Sequence, residues 1–414
     1  MNIYIKTFGC KLNQYESEAL ASHLLSHGHV ITGEENAAAV VVNSCTVTQK
    51  SDSKLRRFVQ SLKKEYPGVL MVVTGCYATL HRDDGSSTVY VPNEQKAQIP
   101  AYLSYYERHG SMPETADVQT EMRADDYQFH SRAFLKVQDG CDAFCNYCIV
   151  AHARGKPKSM DAAVVRETVQ GLAGKGFREF VLTGINIGAY DFQGGLADLA
   201  GSLLPLLNGG RLRFSSIEPV FFTDALVKLF AHPSVCRQAH IPLQSASDAV
   251  LSRMGRRYKI DDFKRIVDAL YRIDPHFSLT TDIMAGHPYE TDEDFAATCR
   301  FCEDAGFSKL HIFRYSPREG TPSAGMPQIP ERVKSERAKK LAAINDALEL
   351  RYRKMMLGRT LHVVVETQTA TGYEGLASEY LHCSLMSRRP LEKRSIVSGV
   401  FERLDGDANI VLVE

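Results

Sequence analysis

The chain has 414 residues, with 49 Lys and Arg against 49 Asp and Glu, and 44% of its residues are hydrophobic. That length carries about two to four domains with ample buried core, and zero formal charge excludes a global basic field, leaving any nucleic-acid contact to local patches. No apolar run is long enough to span a bilayer, residues 1–6 lack a signal-peptide pattern, and ten cysteines read as metal ligands more readily than as a disulfide framework, so a cytoplasmic metalloprotein is expected.

Taken in order, Ile3–Phe8 is a short apolar strand that ends at Gly9–Cys10. A helix over Asn13–His27 follows, with Leu20, Leu24 and Leu25 spaced for one face and Gly28 after its end. Ala38–Val42 is a β-branched strand ending at Asn43–Ser44–Cys45. A basic helix over about Ser51–Lys64 stops at Pro67–Gly68, and the strand Val69–Val73 ends at Thr74–Gly75–Cys76. Strand–helix alternation implies parallel strands with right-handed crossovers, so all three strand ends lie on one edge of a sheet. Cys10, Cys45 and Cys76 each follow such an end, which suggests a three-thiolate cluster site; a scatter of small buried cysteines is the blander alternative.

Residues 78–100 are less regular, and residues 111–132 are polar apart from Val118, Met122, Tyr127 and Phe129, reading as a linker. From Phe134 to Ser316 six strands alternate with helices: Phe134–Val137, Glu179–Thr183, Leu212–Ser216, Ala239–Leu243, Ser278–Met284 and Lys309–Arg314. Six such units suggest a partial, open barrel with its chemistry at the strand C-terminal face. Polar runs at those ends include Gly184 and Asn186, Glu218, and Gln244. Taken singly, each is also an ordinary strand cap or turn.

Between the first two of these strands lie Cys141, Cys145 and Cys148, at a C-x3-C-x2-C spacing. One thiolate per iron can hold three corners of a cubic 4Fe–4S cluster and leave the fourth iron open to a substrate or cofactor. Three thiols packing as small hydrophobes, or a zinc site completed by His152, are the alternatives. Cys236, Cys299, Cys302 and Cys383 read as plain thiols, and His152 and His287 as solvated or hydrogen-bonded side chains.

A helical connector with many basic residues, among them Lys334 and Arg337, spans Glu331–Arg359; such runs are mostly solvated helix faces. Four short strands follow, over Leu361–Val365, Tyr380–Met386, Ile396–Glu402 and Ile410–Val413, suggesting a small β-barrel. The tail is slightly acidic, yet Arg388, Arg389, Lys393 and Arg394 cluster and can follow phosphates.

Cys141, Cys145 and Cys148, with Tyr147 before the last thiol, resemble the cluster motif of the radical S-adenosylmethionine (SAM) enzymes. Gly9–Cys10–Lys11–Leu12–Asn13, Asn43–Ser44–Cys45–Thr46–Val47–Thr48 and Thr74–Gly75–Cys76–Tyr77–Ala78 resemble the three cysteine boxes of the methylthiotransferases. Lys11–Leu12–Asn13 is closer to the branch that modifies threonylcarbamoyladenosine in tRNA than to the isopentenyladenosine branch, and departs from the ribosomal-protein branch. Pro92, His152, Ala153, Lys156–Lys158, His287 and Tyr289 depart from the commoner residues of the family.

The resemblance implies an α/β chain in three parts: an open parallel-sheet domain (1–110), a partial (β/α)6 radical SAM barrel (133–330) and a small C-terminal β-barrel similar to the TRAM module (358–414). A linker (111–132) and a helical connector (331–357) join them. It implies two 4Fe–4S clusters, on Cys10, Cys45, Cys76 and on Cys141, Cys145, Cys148, with SAM near Gly184, Asn186, Glu218 and Gln244 and no catalytic residue beyond the cluster ligands. The activity implied is addition of a methylthio group to C2 of N6-threonylcarbamoyladenosine beside the tRNA anticodon. Methylthiolation of a ribosomal protein side chain, and a non-catalytic zinc-containing RNA-binding protein, stand as alternatives. The expected partners are the tRNA anticodon stem-loop and an electron donor, with neither membrane nor DNA.

Overall fold

The computed structural model describes residues 1–81, 88–113, 122–192 and 194–413. Val118 of the expected linker lies outside them. The chain forms two compact units. One comprises Met1–Phe129, Asp139–Asp142 and Cys148–Pro157, and the other His130–Gln138, Ala143–Tyr147 and Lys158–Glu414.

In the first unit, β1 (Asn2–Thr7), β2 (Val30–Ile31), β3 (Ala39–Ser44), β4 (Leu70–Gly75) and β5 (Thr88–Val91) form one parallel sheet, in the order β2-β1-β3-β4-β5. The helices are α1 (Lys11–Ser26), α2 (Gln49–Glu65), α3 (Cys76–Leu80) and α4 (Ile99–His109). The β-branched runs of β3 and β4 are buried on both faces, as central parallel strands require. Alternate side chains go to opposite cores. Val41 and Val72 pack with Leu20 and Leu24 of α1 and Leu103 of α4, whereas Val40, Val42 and Val73 pack on Leu55 and Leu62 of α2. Each such side chain contributes about 1.5–3 kcal/mol when fully buried. Thr48 caps α2, its hydroxyl accepting from the Ser51 N–H at 3.2 Å, worth about 1 kcal/mol.

Strand order reverses at β1. The chain goes through α1 outward to β2, returns past β1 to β3, and then grows away through β4 and β5. Loops leaving the strands on either side of a reversal diverge and open a crevice at the C-terminal edge. Only three of the sheet's strands were expected: β2 and β5 extend it at its two edges, and α3 is a further unread turn of helix. Two longer segments also differ. Helix α4, unread in the sequence, begins with Pro100 in its first turn and ends at Gly110 in the left-handed region. Part of the presumed linker is also held to α1: the Glu18 carboxylate accepts from the Gln128 and Phe129 amides at 2.7 and 2.9 Å, and Tyr15 Oη donates to Met122 O at 3.3 Å.

Strand β6 (Ala133–Lys136), the two-residue β7 (Gln138–Asp139) and β8 (Lys158–Ser159), β9 (Glu179–Thr183) and β10 (Arg211–Phe214) come next, followed by β11 (Gln238–His240), β12 (Ser278–Ala285) and β13 (Lys309–Arg314). Between them lie α5 (Val150–Arg154), α6 (Ala162–Gly174), α7 (Gly195–Leu203), α8 (Asp224–Leu229), α9 (Asp248–Arg253), α10 (Ile260–Ile273) and α11 (Asp292–Asp304). In the second unit the strands run parallel as β10-β9-β6 and β11-β12-β13. Parallel bridges Leu212↔Val235 and Ser216↔His240 join the two sets into a six-stranded open barrel.

Helix α12 (Glu331–Met355) leads into a closed five-stranded barrel, ordered β14-β15-β16-β18-β17. Its strands are β14 (Thr360–Thr369), β15 (Gly372–Ala377), β16 (His382–Ser387), β17 (Ile396–Asp405) and β18 (Ala408–Val413). Strand β15 is the one the sequence hides. The basic run of α12 is also not all solvated: Lys334 and Arg337 are buried, paired with Glu331 at 2.7 Å and Glu290 at 2.6 Å.

A buried charge network locks this small barrel to the open one. Glu179 pairs with Arg211 and Arg213, whose guanidinia also donate to His362 O, Leu376 O, Ala377 O and Ser378 O at 2.6–3.0 Å. Burial alone would raise the Glu179 carboxyl, but Arg211, Arg213 and Arg132 outweigh it and hold it well below the usual carboxylate range.

Candidate metal centre and SAM rim

Cys10 follows β1, Cys45 follows β3 and Cys76 opens α3 directly after β4, so the three thiols stand at the C-terminal ends of three adjacent strands. Two glycines let them approach. Gly9 has φ +120°, and a Cβ there would come within 2.7 Å of Cys45 Cβ; Gly75 has φ +97°, and its Cβ would meet Ser44 O at 2.3 Å. No other residue combines that backbone with that closeness.

The thiols are within electrostatic reach of one another. Burial pushes Cys45 up to about 11, Cys10 and Cys76 add to the rise, and the Val47 backbone opposes it. Cys10, though exposed as a residue, has a thiol crowded by protein that raises its pKa, against the lowering effect of Arg154. Among the described residues no group of three or more His, Cys, Asp or Glu converges as for a single metal ion. A cubic cluster asks for a different arrangement, with thiolates around a volume rather than upon a point. Three thiols on one sheet edge, near but not convergent, fit that demand.

Beneath the thiols lies a polar network that sequence reasoning missed. Arg154, at the end of α5, donates from Nε to Cys76 Sγ at 3.2 Å, from Nη2 to Asn13 Oδ1 at 2.7 Å, and pairs with Glu16. Lys96 pairs with the same Glu16 and donates to Asn43 Oδ1 at 3.0 Å. Asn13 Nδ2 in turn donates to Phe8 O and Ser44 O at 2.8 and 3.0 Å, tying the loops after β1 and β3 together. Asn93 Nδ2 lies 3.8 Å from Cys76 Sγ, while its buried Oδ1 has no hydrogen-bond partner among the described residues. The i, i+3 pair Asn13 and Glu16, within the first two turns of α1, is the local signal that could have marked it.

Cys141 and Cys148 are half-buried in the first unit, and Cys145 is buried in the second. Cys145 Sγ accepts from Arg256 Nη1 at 3.4 Å, and the same guanidinium nitrogen donates to Glu218 Oε1 at 2.8 Å. Asn146, next in sequence, is held on several sides: its N–H donates to Met254 O, its carbonyl accepts from Ser323, and its Oδ1 meets His287 Nε2 at 3.0 Å. Burial lowers His287 to about 4, so this imidazole is neutral at physiological pH.

Gly184, Asn186, Glu218 and Gln244 each sit just beyond the C-terminal ends of β9, β10 or β11. A Cβ on Gly184 would lie 2.6 Å from Gln138 O, and Asn186 N donates to Gln138 Oε1 at 2.8 Å. Asn186 Oδ1 is buried without a hydrogen-bond partner among the described residues, an acceptor ready for a ligand donor. Gln244 holds φ +67°, strained for a side-chain-bearing residue, while its amide donates to Asp282 O at 2.8 Å. His240 of β11, Asp282 of β12 and His311 of β13 stand together, His240 Nε2 3.2 Å from Asp282 Oδ1 and its ring edge-on to that of His311.

An open six-stranded parallel barrel with a C-x3-C-x2-C loop between its first two strands is the frame of a radical SAM enzyme. The model of the radical SAM superfamily matches residues 135–302, and that of Uncharacterized protein family UPF0004 matches residues 2–90. The chain is 37% identical to threonylcarbamoyladenosine tRNA methylthiotransferase MtaB of Thermotoga maritima, covering 91% of this chain and 89% of the relative. It is 33% identical to the Bacillus subtilis protein of the same name (91% and 88%), and 30% identical to tRNA-2-methylthio-N(6)-dimethylallyladenosine synthase of Geobacillus thermodenitrificans (90% and 76%). In fold it is similar to the radical SAM methyltransferase TsrM of Kitasatospora setae, with TM-score 0.56 and 15% identity over 78% of this chain and 77% of that one. The chain belongs to the radical SAM methylthiotransferase family, in the branch of the threonylcarbamoyladenosine tRNA methylthiotransferases.

Proposed function

We propose that this chain places a methylthio group on C2 of N6-threonylcarbamoyladenosine beside the anticodon of tRNA. The observation that carries the reading is the gathering of Cys10, Cys45 and Cys76 at three adjacent strand ends, in a chain that also holds the C-x3-C-x2-C loop. The C2–H bond of adenine is too weakly acidic for removal by a side-chain base, and among the groups described no side chain offers such chemistry. When bound, a 4Fe–4S cluster with SAM on its open iron supplies a radical able to attack that bond, and a second cluster supplies the sulfur.

The chain's own residues bind, orient and exclude water. Cys141, Cys145 and Cys148 would hold the first cluster, and Cys10, Cys45 and Cys76 the second. Gly184, Asn186, Glu218 and Gln244 would line SAM, Asn186 through its unpartnered Oδ1 and Glu218 in a position fixed by Arg256. Residues 1–110 carry the sulfur-donating site, 133–330 the radical site, and 358–414 the RNA-facing barrel, where Arg388, Arg389, Lys393 and Arg394 follow phosphates. An anticodon-loop base can be splayed out for access, and an external electron donor completes the cycle. No helix among the described residues is long and apolar enough to cross a membrane.

Mass spectrometry of tRNA nucleosides from a deletion strain tests the reading. Loss of the methylthio derivative of threonylcarbamoyladenosine, restored by the intact gene, is the expected result. Loss of the dimethylallyladenosine derivative instead, or of a ribosomal protein modification with tRNA unchanged, would overturn the substrate assignment.

A further inference from the structure

Arg154 stands six residues beyond Cys148, yet its side chain, 1% exposed, reaches the thiol after β4 and the Asn13 and Glu16 side chains of α1. All three guanidinium nitrogens are engaged. Nε donates to Cys76 Sγ at 3.2 Å, Nη2 to Asn13 Oδ1 at 2.7 Å and Glu16 Oε2 at 3.1 Å, and Nη1 to Glu16 Oε1 and to Asp139 Oδ2 at 3.5 Å. Glu16 is itself pinned from the other side by Lys96, 2% exposed. A guanidinium is a planar fork, so bonds on its far edge fix the direction in which Nε–H points. Here it points at one ligating sulfur. Asp52, on α2, stands beside Cys45 and hydrogen-bonds Thr46 at 2.8 Å, so an anion lies near Cys45, while the directed N–H of Arg154 goes to Cys76.

We propose that Arg154 is a positioning residue for the cluster on Cys10, Cys45 and Cys76, holding the Cys76 sulfur by an N–H···S bond and raising the reduction potential there. The proposal rests on the two-cluster reading above. A hydrogen bond and a positive charge at a coordinating sulfur stabilise the more negative, reduced state, and such bonds are among the levers that set iron–sulfur potentials. The side chain comes from the segment that carries Cys148, so one residue links the ligand loop of one thiol set to the sulfur of the other within a single compact unit. Asn93, whose Nδ2 faces the same sulfur at 3.8 Å, adds a weaker contact.

The test uses the full-length C141A/C145A/C148A variant, which leaves Cys10, Cys45 and Cys76 as the cluster ligands, reconstituted anaerobically. R154Q and R154K are compared in that background for iron and sulfide content, electron paramagnetic resonance of the reduced state, and midpoint potential. Expected is a more negative midpoint and an altered resonance in R154Q, with R154K between it and the parent, since Lys keeps the charge but not the oriented Nε–H. Coincident midpoints and spectra in parent and both variants would overturn the proposal. Should R154Q fail to fold, R154K alone carries the comparison, and its identity with the parent in both readouts is the refuting result. A parent variant that takes up no iron, with Arg154 intact, overturns the two-cluster reading itself, which separates that failure from this one.

Discussion

Replacing Glu179 by Gln should destabilise the second unit by about 3–5 kcal/mol, the usual cost of leaving a buried charge unpaired. The magnitude follows from burial. Glu179 and Arg213 are wholly inaccessible and Arg211 nearly so, and the two guanidinia lie 2.5–2.7 Å from the Glu179 oxygens. The substituted amide preserves shape but leaves two buried cations facing a neutral group, and its own NH2 turns a donor toward donors. The backbone oxygens of Leu376, Ala377 and Ser378 would still accept from the arginines, which limits the loss. At about 2–4 °C per kcal/mol for a domain of this size, E179Q should melt roughly 6–20 °C lower by circular dichroism or calorimetry. The sign with pH follows from the depressed carboxyl: its stabilisation is fully present above about pH 4.3 and is lost as pH falls toward the folded-state value. E179Q should therefore lose most stability at neutral pH and converge on the parent in acid. A shift under about 1 kcal/mol at pH 7, or one that does not shrink in acid, would refute the reasoning.

Three further outcomes are expected. Gly75→Ala places a Cβ 2.3 Å from Ser44 O at φ +97°, so it should cost at least about 2 kcal/mol and displace Cys76; retained stability with full iron content would contradict the close approach. His287→Gln removes an imidazole lowered to about 4 by burial, so the folded state binds fewer protons than the unfolded chain between pH 6.5 and 4, and stability falls as pH falls through that window. H287Q should erase up to about 3 kcal/mol of that acid dependence, read from urea midpoints across the window; an unchanged pH slope would sink the assignment. Cys10→Ala should abolish methylthiolation while SAM cleavage stays measurable, and full product formation would refute the two-cluster reading.

How much of this was legible in the sequence depends on the range of the contacts. Cys10, Cys45 and Cys76 stood out because each ends an apolar strand, and parallel topology alone brings such ends to one edge. Strand β15 was hidden because Gly-Tyr-Glu-Gly-Leu-Ala lacks the β-branched residues that mark a strand, and it forms only between β14 and β16. Helix α4 was hidden by Pro100 and by a tyrosine-rich composition that carries little period. Lys334 and Arg337 read as solvated because a basic helix usually is; their burial depends on Tyr315 and Glu290, remote in sequence. The network of Asn13, Glu16, Lys96 and Arg154 spans up to 141 residues of sequence and leaves almost no local trace. Arg154 stands only six residues past Cys148 in the sequence, but its contact with Cys76 requires the fold.

The most direct measurement is the iron and acid-labile sulfide content of anaerobically reconstituted protein, intact and with each thiol triad replaced by Ala. Two independent cubic sites predict about eight irons per intact chain and about four in either triad variant. Four irons in the intact chain, with none left after Cys10, Cys45 and Cys76 or after Cys141, Cys145 and Cys148 are replaced, would contradict it.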